Sequence, residues 1–345
     1  MLTPKFTICI PSYNRGQVAL RQVLHTLPLI AADCDILVLD NFSSRSLEGY
    51  GEIASLSKSE HRVRYIRHAA NLGFHGNVLA CLKHANSDYL QIISDEDYSN
   101  PGAISDAMAT FDEFPEVGLI RGSIGAIKGM RPRNSLTYPD QFLASGNSAL
   151  SEFSLNTNYL SGIIYNKKLL VTMGIIREFE SHLIDNLTTA PYAHMHLDIL
   201  ISASCAVITS SEVVCYEGEE DANALDGKSA AQASAYTFTG RLEQFIGFRD
   251  LFRVVCGPEG LNDLSLLIYL YLKLVEKYCL LFRADSFLYT ARGLSLGSLQ
   301  ESLRHFCVAA SDIDEFAPVR TTVHDLVQEC FRGALRRLDS RHKIS

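Results

Sequence analysis

The sequence predicts an α/β protein with a mostly parallel β-sheet flanked by helices. Two observations lead to this class. Short apolar runs of strand type alternate with helical patterns along the first 100 residues, and each run ends in polar side chains. Alternation of this kind is typical of βαβ units, in which a helix connects two parallel strands. Ligands of such sheets bind at the carboxyl ends of the strands.

The first βαβ unit is predicted from three segments. The apolar runs Phe6–Ile10 and Asp35–Leu39 have the length and composition of buried strands. Between them, apolar residues recur at helical spacing from Val18 to Leu27. Pro28 ends this pattern, because proline cannot continue a helix.

The second unit repeats this order. A third strand is predicted at Val63–Ile66 and a fourth at Leu90–Ile93. A helix through Ala80, Leu82 and Ala85 connects them. Four strands joined by helices therefore predict one parallel sheet.

The remaining segments give the domain boundaries. Ala206–Thr209 and Glu212–Tyr216 are predicted as the last strands of a first domain, residues 1–225. From residue 226 to residue 345 the apolar spacing is helical, as in Leu264, Leu267, Ile268, Tyr271, Leu272 and Val275. The second region is therefore predicted to be helical.

Three consecutive carboxylates, Asp95, Glu96 and Asp97, follow the fourth strand. Neighbouring like charges raise one another's pKa, so such a cluster is costly unless a cation neutralises it. Hard cations such as Mg²⁺ and Mn²⁺ prefer oxygen ligands and often bind substrate phosphates as well. The cluster indicates a metal that holds a phosphorylated substrate. The alternative is a set of solvated turn residues or a helix N-cap.

The ends of the other strands carry further polar groups. Tyr13, Asp40, Asn71 and Asp95 each follow a different predicted strand. Because parallel strands end at one edge of the sheet, we expect these four side chains to converge on one crevice.

These motifs together resemble a known family. In order along the chain, they are Pro11-Ser12-Tyr13-Asn14-Arg15, Leu39-Asp40-Asn41, Asn71-Leu72-Gly73 and Ser94-Asp95-Glu96-Asp97. The set resembles family 2 glycosyltransferases of GT-A fold. It is most similar to bacterial enzymes of surface polysaccharide synthesis (O-antigen or capsule), including the abequosyltransferase-like group. The resemblance covers about residues 1–125 well and residues 155–220 loosely.

The resemblance implies a function. It implies inverting transfer of a sugar, from a UDP- or dTDP-type donor, to a hydroxyl of a glycan or lipid-linked glycan, with Mn²⁺ or Mg²⁺ as cofactor. Within the first domain, residues 1–125 would bind the nucleotide sugar and residues 126–225 would lie on the acceptor side. It also implies a cytoplasmic protein, at the cytoplasmic face of the membrane.

The resemblance further implies roles for particular residues. Asp40 would accept a hydrogen bond from a pyrimidine base, and Asp97, together with Asp95, would bind the metal. Glu96 departs from the commonest family pattern and is expected either at the nucleotide sugar or in solvent. The residues that would contact the nucleotide sugar are Pro11, Tyr13, Arg15, Asp40, Asn71, Gly73, Asp95 and Glu96.

The general base is not evident. The family uses a Glu-Asp pair that this sequence lacks, and residues 190–201 stand at the corresponding place. His194 and Asp198 share one face of a predicted helix there and are the first candidates. Asp185, in the preceding loop, is the third. The alternative is that His196 packs in a helix interface and Asp198 lies on the surface.

Composition excludes some classes of protein. The formal charge of −8 and the lack of a basic face before the C-terminus argue against nucleic-acid binding. The nine cysteines lack CxxC spacing, which is typical of reduced core residues in a cytosolic protein. We expect no signal peptide, because Phe6 already begins a strand, and no run has the length of a membrane span.

The C-terminal helices allow three interpretations. They could form a bundle against the catalytic domain, or an oligomer interface. The basic helix from Phe331, with Arg341 and Lys343, could contact the inner membrane or simply be a solvated helix end.

Three rival functions each require a feature that can be checked in the sequence. A sugar-phosphate nucleotidyltransferase would need a Gly-rich basic loop after the first strand, and a dinucleotide-dependent oxidoreductase would need G-x-G-x-x-G there. Pro11–Gly16 matches neither. A non-catalytic subunit that binds sugar nucleotides is the third, because the Glu-Asp base is lacking.

Overall fold

The computed structural model describes residues 4–126, 136–156, 159–187, 189, 192–218 and 238–290, and short stretches between 301 and 332. The chain divides into two compact units. One comprises Met1–Asp185 and Tyr192–Lys228, and the other Asn186–Pro191 and Ser229–Ser345.

The first unit contains one β-sheet. Its strands, in chain order, are β1 (Phe6–Ser12), β2 (Cys34–Asp40), β3 (Val63–Arg67), β4 (Tyr89–Ile92), β5 (Tyr98–Ser99), β6 (Val117–Ala126), β7 (Gln141–Leu143), β8 (Ile163–Tyr165) and β9 (Ala206–Glu217). The order across the sheet is β3-β2-β1-β4-β8-β6-β9-β5, and β7 also pairs with β9.

Helices connect these strands. They are α1 (Gly16–Thr26), α2 (Leu47–Ser59), α3 (Gly73–His84), α4 (Pro101–Glu113), α5 (Asn147–Glu152), α6 (Lys167–Thr172), α7 (Ile175–Ile184) and α8 (Ala193–Ser204). Strands β3, β2, β1 and β4 pair with one another in parallel, so their carboxyl ends meet at one edge. On its other side β4 pairs antiparallel with β8. The predicted mostly parallel α/β class is confirmed.

The structure corrects the end of the predicted sheet. The two strands expected at Ala206–Thr209 and Glu212–Tyr216 are one continuous strand, β9. Its register against β6 shifts, with Gly122 opposite Ser210 and Ser123 opposite Val213. Ser211 and Glu212 therefore bulge out of the ladder. These polar residues at the bulge looked like a turn in the sequence.

The amino-terminal end of α1 contacts α2 through two glycines. A Cβ atom at Gly16 would lie 2.2 Å from the carbonyl oxygen of Ser46, and one at Gly49 would lie 2.3 Å from the carbonyl carbon of Gly16. Only glycine lets the two backbones approach so closely. This contact fixes where α1 begins, directly after Arg15.

The second unit is helical in the part of it that is described, as predicted. Helices α9 (Phe238–Cys256) and α10 (Leu264–Thr290) pack against each other. The ring of Phe245 meets Tyr278 and Phe306 edge to face, with centroids 5.7 and 4.8 Å apart. The Tyr278 hydroxyl donates to Gln244 Oε1. The predicted basic helix lies outside the described residues apart from Arg332, which is helical and exposed.

The length of the helices and the burial of the cysteines bear on two expectations from the sequence. No helix among the residues placed in the structure is long and apolar enough to span a membrane. Seven of the cysteines lie in described segments, and all seven are buried, as expected of core residues.

Candidate functional site

The site begins where β1 and β4 end side by side. The parallel register of these strands places Ser12, the last residue of β1, near Asp95, which follows β4. The Ser12 hydroxyl donates to Asp95 Oδ2 over 2.7 Å and lies 2.7 Å from the Tyr50 hydroxyl. These contacts hold the Asp95 carboxylate, which follows the last residue of β4, at the edge of the sheet.

Arg15 brings a positive charge to the same edge. Its guanidinium Nη1 lies 3.2 Å from Asp95 Oδ1, and its Nη2 donates to Glu96 Oε2. The side chains of Arg15, Asp95 and Glu96 are 19%, 5% and 18% exposed. Three of the predicted site residues therefore form one partly buried ion-pair cluster.

Burial controls the charge of Asp95. It raises the pKa of this carboxyl from 3.8 to about 6, while the positive charge of Arg15 and the Ser12 hydrogen bond act in the opposite direction. The negative charge of Glu96 raises the pKa as well. The carboxylate is therefore poised to gain from any cation that comes close.

Asp97 is held differently, by neutral donors. Its Oδ1 accepts hydrogen bonds from the Tyr159 hydroxyl at 2.9 Å and from the Gly218 backbone N–H at 3.1 Å. Its Oδ2 accepts from the Ser161 hydroxyl at 2.5 Å. Asp97 is 1% exposed, and burial raises its pKa to about 6. It ties the loop after β4 to the segment before β8 and to the end of β9.

Gly218 stands at a close backbone contact in this network. A Cβ atom there would lie 1.7 Å from the carbonyl oxygen of Glu96. Any other residue would push the end of β9 away from the carboxylate loop.

Asp40 lies at the end of β2 and is fully buried. Its Oδ1 accepts from the Ser43 backbone N–H at 2.8 Å, and its Oδ2 accepts from the Tyr65 hydroxyl at 3.0 Å. Arg67 Nε lies 3.6 Å from Oδ2. Each oxygen already has a partner, and a base would add a further donor to this carboxylate, which can accept more than two hydrogen bonds. The role of Asp40 in base recognition stays a prediction.

The third predicted motif forms a loop fixed by Asn41. The Asn41 amide donates to Asn71 Oδ1 at 2.9 Å and to the Gly73 carbonyl at 3.1 Å, and its oxygen accepts from the Leu72 N–H at 2.8 Å. Gly73 has φ +67°, which favours glycine. Pro11 and Tyr13, at the end of β1, are half-buried. The contacts of these residues with a nucleotide stay predictions.

The three candidate bases lie in different surroundings. His194 and Asp198 in α8 are 2% and 4% exposed, whereas Asp185 at the end of α7 is exposed. Asp198 accepts a hydrogen bond from the Tyr165 hydroxyl at 3.2 Å. Burial raises its pKa to about 7, and the buried Arg121 opposes this rise. The expected alternative, a surface position for Asp198, is wrong.

His196 packs between α7 and α8. Its Nε2 lies 3.0 Å from Nδ1 of His182, and its ring meets Phe179 edge to face. Burial, and then the neighbouring His182 and His75, lower the pKa of His196 well below 6.5. A histidine in this environment stays neutral at pH 7.

Sequence reasoning missed several members of the site. They are Ser12, Tyr50, Tyr159, Ser161 and Gly218. Ser12 lies inside the first motif, so its neighbours were a signal. Tyr159, Ser161 and Gly218 reach Asp97 over more than 60 residues of chain, and no local pattern reports such a contact.

The carboxylates supply only oxygen atoms, which suits Mg²⁺ or Mn²⁺. In the segments that the structure describes, no group of three or more His, Cys, Asp and Glu side chains is placed to hold a metal ion. A cation would therefore take one or two carboxylates and complete its shell with substrate oxygens, as Mg²⁺ often does. The donor set fits this use.

Comparison with known proteins identifies the domain. The sequence profile of Glycosyl transferase family 2 matches residues 7–169. The crystal structure of Staphylococcus aureus TarS 1–349 is similar, with a TM-score of 0.61 at 15% identity, over 96% of this chain and 88% of that one. The same protein in complex with UDP-GlcNAc gives a TM-score of 0.63 at 14% identity, over 96% and 88% of the two chains.

One curated relative is similar over part of its length, and its description names no function. The uncharacterized protein MT1568 of Mycobacterium tuberculosis (strain CDC 1551 / Oshkosh) is 28% identical over 118 residues, 34% of this chain and 35% of that protein. The alignment thus spans about a third of this relative. The profile match includes all four strand-end motifs. Residues 7–169 are therefore similar to glycosyl transferase family 2, and the first unit has the GT-A fold.

Proposed function

We propose that this chain is a glycosyltransferase, which moves a sugar from a nucleotide-diphosphate sugar to a hydroxyl of a glycan or lipid-linked glycan. One observation carries the proposal. Asp95, Glu96 and Asp97 lie with Arg15 at the carboxyl edge of the sheet, inside the segment that is similar to family 2. This is the edge at which open α/β sheets bind their ligands.

The donor is proposed to be of UDP or dTDP type. Asp40 accepts hydrogen bonds, and uracil and thymine present an N3–H donor that cytosine lacks. The UDP-GlcNAc bound by TarS, a protein of the same fold, supports a uridine nucleotide. Pro11, Tyr13, Asn71 and Gly73 would line the nucleotide at the ends of the neighbouring strands.

A divalent cation, Mn²⁺ or Mg²⁺, is proposed as cofactor. Asp97 and Asp95 would hold it together with diphosphate oxygens of the donor. When bound, the cation neutralises the charge that develops on the departing diphosphate. Asp97 keeps its orientation through Tyr159, Ser161 and Gly218, so its carboxylate is placed before any substrate arrives.

The transfer itself needs a base. The acceptor oxygen forms a bond to the anomeric carbon while the bond from that carbon to the diphosphate oxygen breaks, and the acceptor proton must leave. We propose Asp185 as the base, because it is the exposed one of the three candidates. His194 and Asp198 are buried and would act only after α8 or its neighbours moved. We propose an inverting reaction.

The setting is proposed from the resemblance. The acceptor would be a bacterial surface polysaccharide, with a hexosyl or deoxyhexosyl unit transferred as in the abequosyltransferase-like group. The protein would work at the cytoplasmic face of the membrane, with contact through the basic C-terminal helix or as a homo-oligomer. The burial of His194 and Asp198 favours a second candidate, a sugar-nucleotide-binding subunit without activity.

Isothermal titration of UDP and dTDP with and without Mn²⁺ tests donor binding. We expect the wild type to bind in a metal-dependent manner, and Asp97→Asn to lose the response to the metal. Asp33→Asn is the matched control, because Asp33 lies on the surface beside Lys5. Equal metal dependence in the wild type and in Asp97→Asn would reject the assignment of Asp97.

Transfer assays then test the base. Removing a general base lowers the rate by about 10²–10⁴ and leaves donor binding nearly intact. We expect this result for Asp185→Asn and smaller losses for His194→Ala and Asp198→Asn. A purified wild type that binds UDP but neither hydrolyses nor transfers any donor sugar would favour the binding subunit.

A further inference from the structure

We propose that Arg15 is an internal counter-cation of Asp95 and Glu96. A divalent cation held by Asp95 and Asp97 would take Asp95 from the Arg15 guanidinium and release that group to the diphosphate of the donor. Metal binding and donor binding would thereby depend on each other. This inference rests on the proposed function.

The first support is the position of the guanidinium. One nitrogen, Nη1, lies 3.2 Å from Asp95 Oδ1, and Nη2 donates to Glu96. The group thus contacts both carboxylates at once. A metal ion bound to Asp95 would take the place of the guanidinium at Oδ1, so the metal and Arg15 compete for this carboxylate.

The second support is the contrast with Asp97. The hydrogen bonds of Asp97 come from two hydroxyls and a backbone N–H, which carry no net charge. Asp95 and Glu96, in contrast, are paired with a full positive charge. Of the two proposed metal ligands, Asp95 is therefore the one for which the metal competes with Arg15, because the partners of Asp97 carry no positive charge.

The third support is the anchoring of the Arg15 backbone. Its N–H donates to the Tyr50 hydroxyl at 3.2 Å, and its carbonyl accepts from the N–H groups of Val18 and Ala19, both at 3.0 Å. These bonds hold the residue at the start of α1. A change in the position of the guanidinium is then carried by rotation of the side chain.

The chemistry of the displaced group completes the exchange. A guanidinium matches phosphate oxygens with two parallel hydrogen bonds, and it stays charged at every working pH. Displaced from the carboxylates, Arg15 would find a new anion in the diphosphate. The metal and the diphosphate carry opposite charges, so binding both would change the net charge of the site little.

The exchange predicts a measurable coupling. A positive charge at this distance typically changes the proton affinity of a carboxylate by a factor of about ten or more. Removing the positive charge of Arg15 should therefore change the affinity of the carboxylate for a metal ion by a similar factor. Coupling between two ligands is reciprocal, so in the wild type Mn²⁺ should strengthen the binding of UDP, and UDP should strengthen the binding of Mn²⁺.

The experiment measures Mn²⁺ binding to the full chain by electron paramagnetic resonance of the free ion, with and without UDP. We expect Arg15→Gln to bind Mn²⁺ alone about tenfold more tightly than the wild type does. UDP should strengthen Mn²⁺ binding less in this variant. Arg62→Gln is the control, because Arg62 pairs with Glu60 at another place, and it should match the wild type. Equal or weaker Mn²⁺ binding by Arg15→Gln would overturn the inference.

A second variant decides the question if Arg15→Gln does not fold. Arg15→Lys keeps one compact charge but loses the two-pronged geometry, so it should bind Mn²⁺ alone more tightly than wild type. Binding no tighter than wild type overturns the inference. A wild type that binds no UDP even with Mn²⁺ would instead overturn the proposed function, whereas UDP binding with unchanged Mn²⁺ affinity in the Arg15 variants would overturn this inference alone.

Discussion

Replacing Ser161 with alanine would remove one hydroxyl that makes two buried hydrogen bonds. The hydroxyl donates to Asp97 Oδ2 over 2.5 Å and accepts from the Ser94 backbone N–H over 3.0 Å. Ser161 is 1% exposed, so water cannot easily replace either contact. The substitution leaves a carboxylate with one donor fewer and a backbone N–H without its partner.

The expected cost follows from these two losses. A hydrogen bond to a charged group contributes about 1.5–3 kcal/mol, and an unsatisfied buried donor costs about 1–3 kcal/mol. Because some relaxation will occur, we expect Ser161→Ala to lower the free energy of unfolding by about 3 kcal/mol. The Ser161 hydrogen bond also lowers the pKa of Asp97, so its loss should raise that pKa further.

Urea unfolding followed by circular dichroism at neutral pH would measure this cost. The control is Ser59→Ala, which removes an exposed hydroxyl that donates to the Leu56 carbonyl and should change stability by less than about 0.5 kcal/mol. A Ser161→Ala protein as stable as the Ser59→Ala control would refute the reasoning. In that case Asp97 is not held by the network described above.

Three further predictions concern other parts of the unit. Burial holds the pKa of His196 well below 6.5, so below pH 6.5 the unfolded chain binds a proton at this residue that the folded chain does not. Stability should therefore fall as the pH is lowered below 6.5, and His196→Gln should lose less stability than the wild type over this range in urea unfolding. Gly218→Ala should cost about 1–3 kcal/mol by overpacking against Glu96, whereas Gly51→Ala, at a helical position with open space, should stabilise slightly. Asp40→Ala should weaken UDP binding in titration calorimetry about tenfold or more if Asp40 reads the base; unchanged affinity in a folded variant would make it a turn residue.

The parallel half of the sheet could be predicted because its strands are continuous apolar runs. Phe6–Ser12 and Cys34–Asp40 are buried on both faces. Strands of this kind consist almost entirely of apolar residues, so they can be recognised from the sequence. The clustering of Arg15, Asp95 and Glu96 also followed from topology, since parallel strands end together. Here the sequence carried the information locally.

The other half of the sheet, in which parallel and antiparallel pairs are mixed, could not be predicted as well. Strands β5 and β7 have two and three residues, too few to show a period. The bulge in β9 depends on its pairing with β6, which is a long-range contact.

The surroundings of the site's carboxylates were also beyond the sequence. Asp97 depends on Tyr159, Ser161 and Gly218, which come from two distant segments. The burial of Asp198 beside Tyr165 likewise results from how α8 packs, and an acidic residue in a helix pattern is ordinarily assigned to the surface.

The contact between Gly16 and Gly49 has a consequence for substitutions far from the site. Gly49 lies in α2 and contacts the backbone of Gly16, the residue next to Arg15. A side chain at residue 49 would push α1 away and carry the arginine with it. Such a variant would have all its acidic and basic site residues intact and a normal sequence motif, yet its guanidinium would be displaced. A sequence comparison restricted to the motifs would not detect that Arg15 is displaced in this variant.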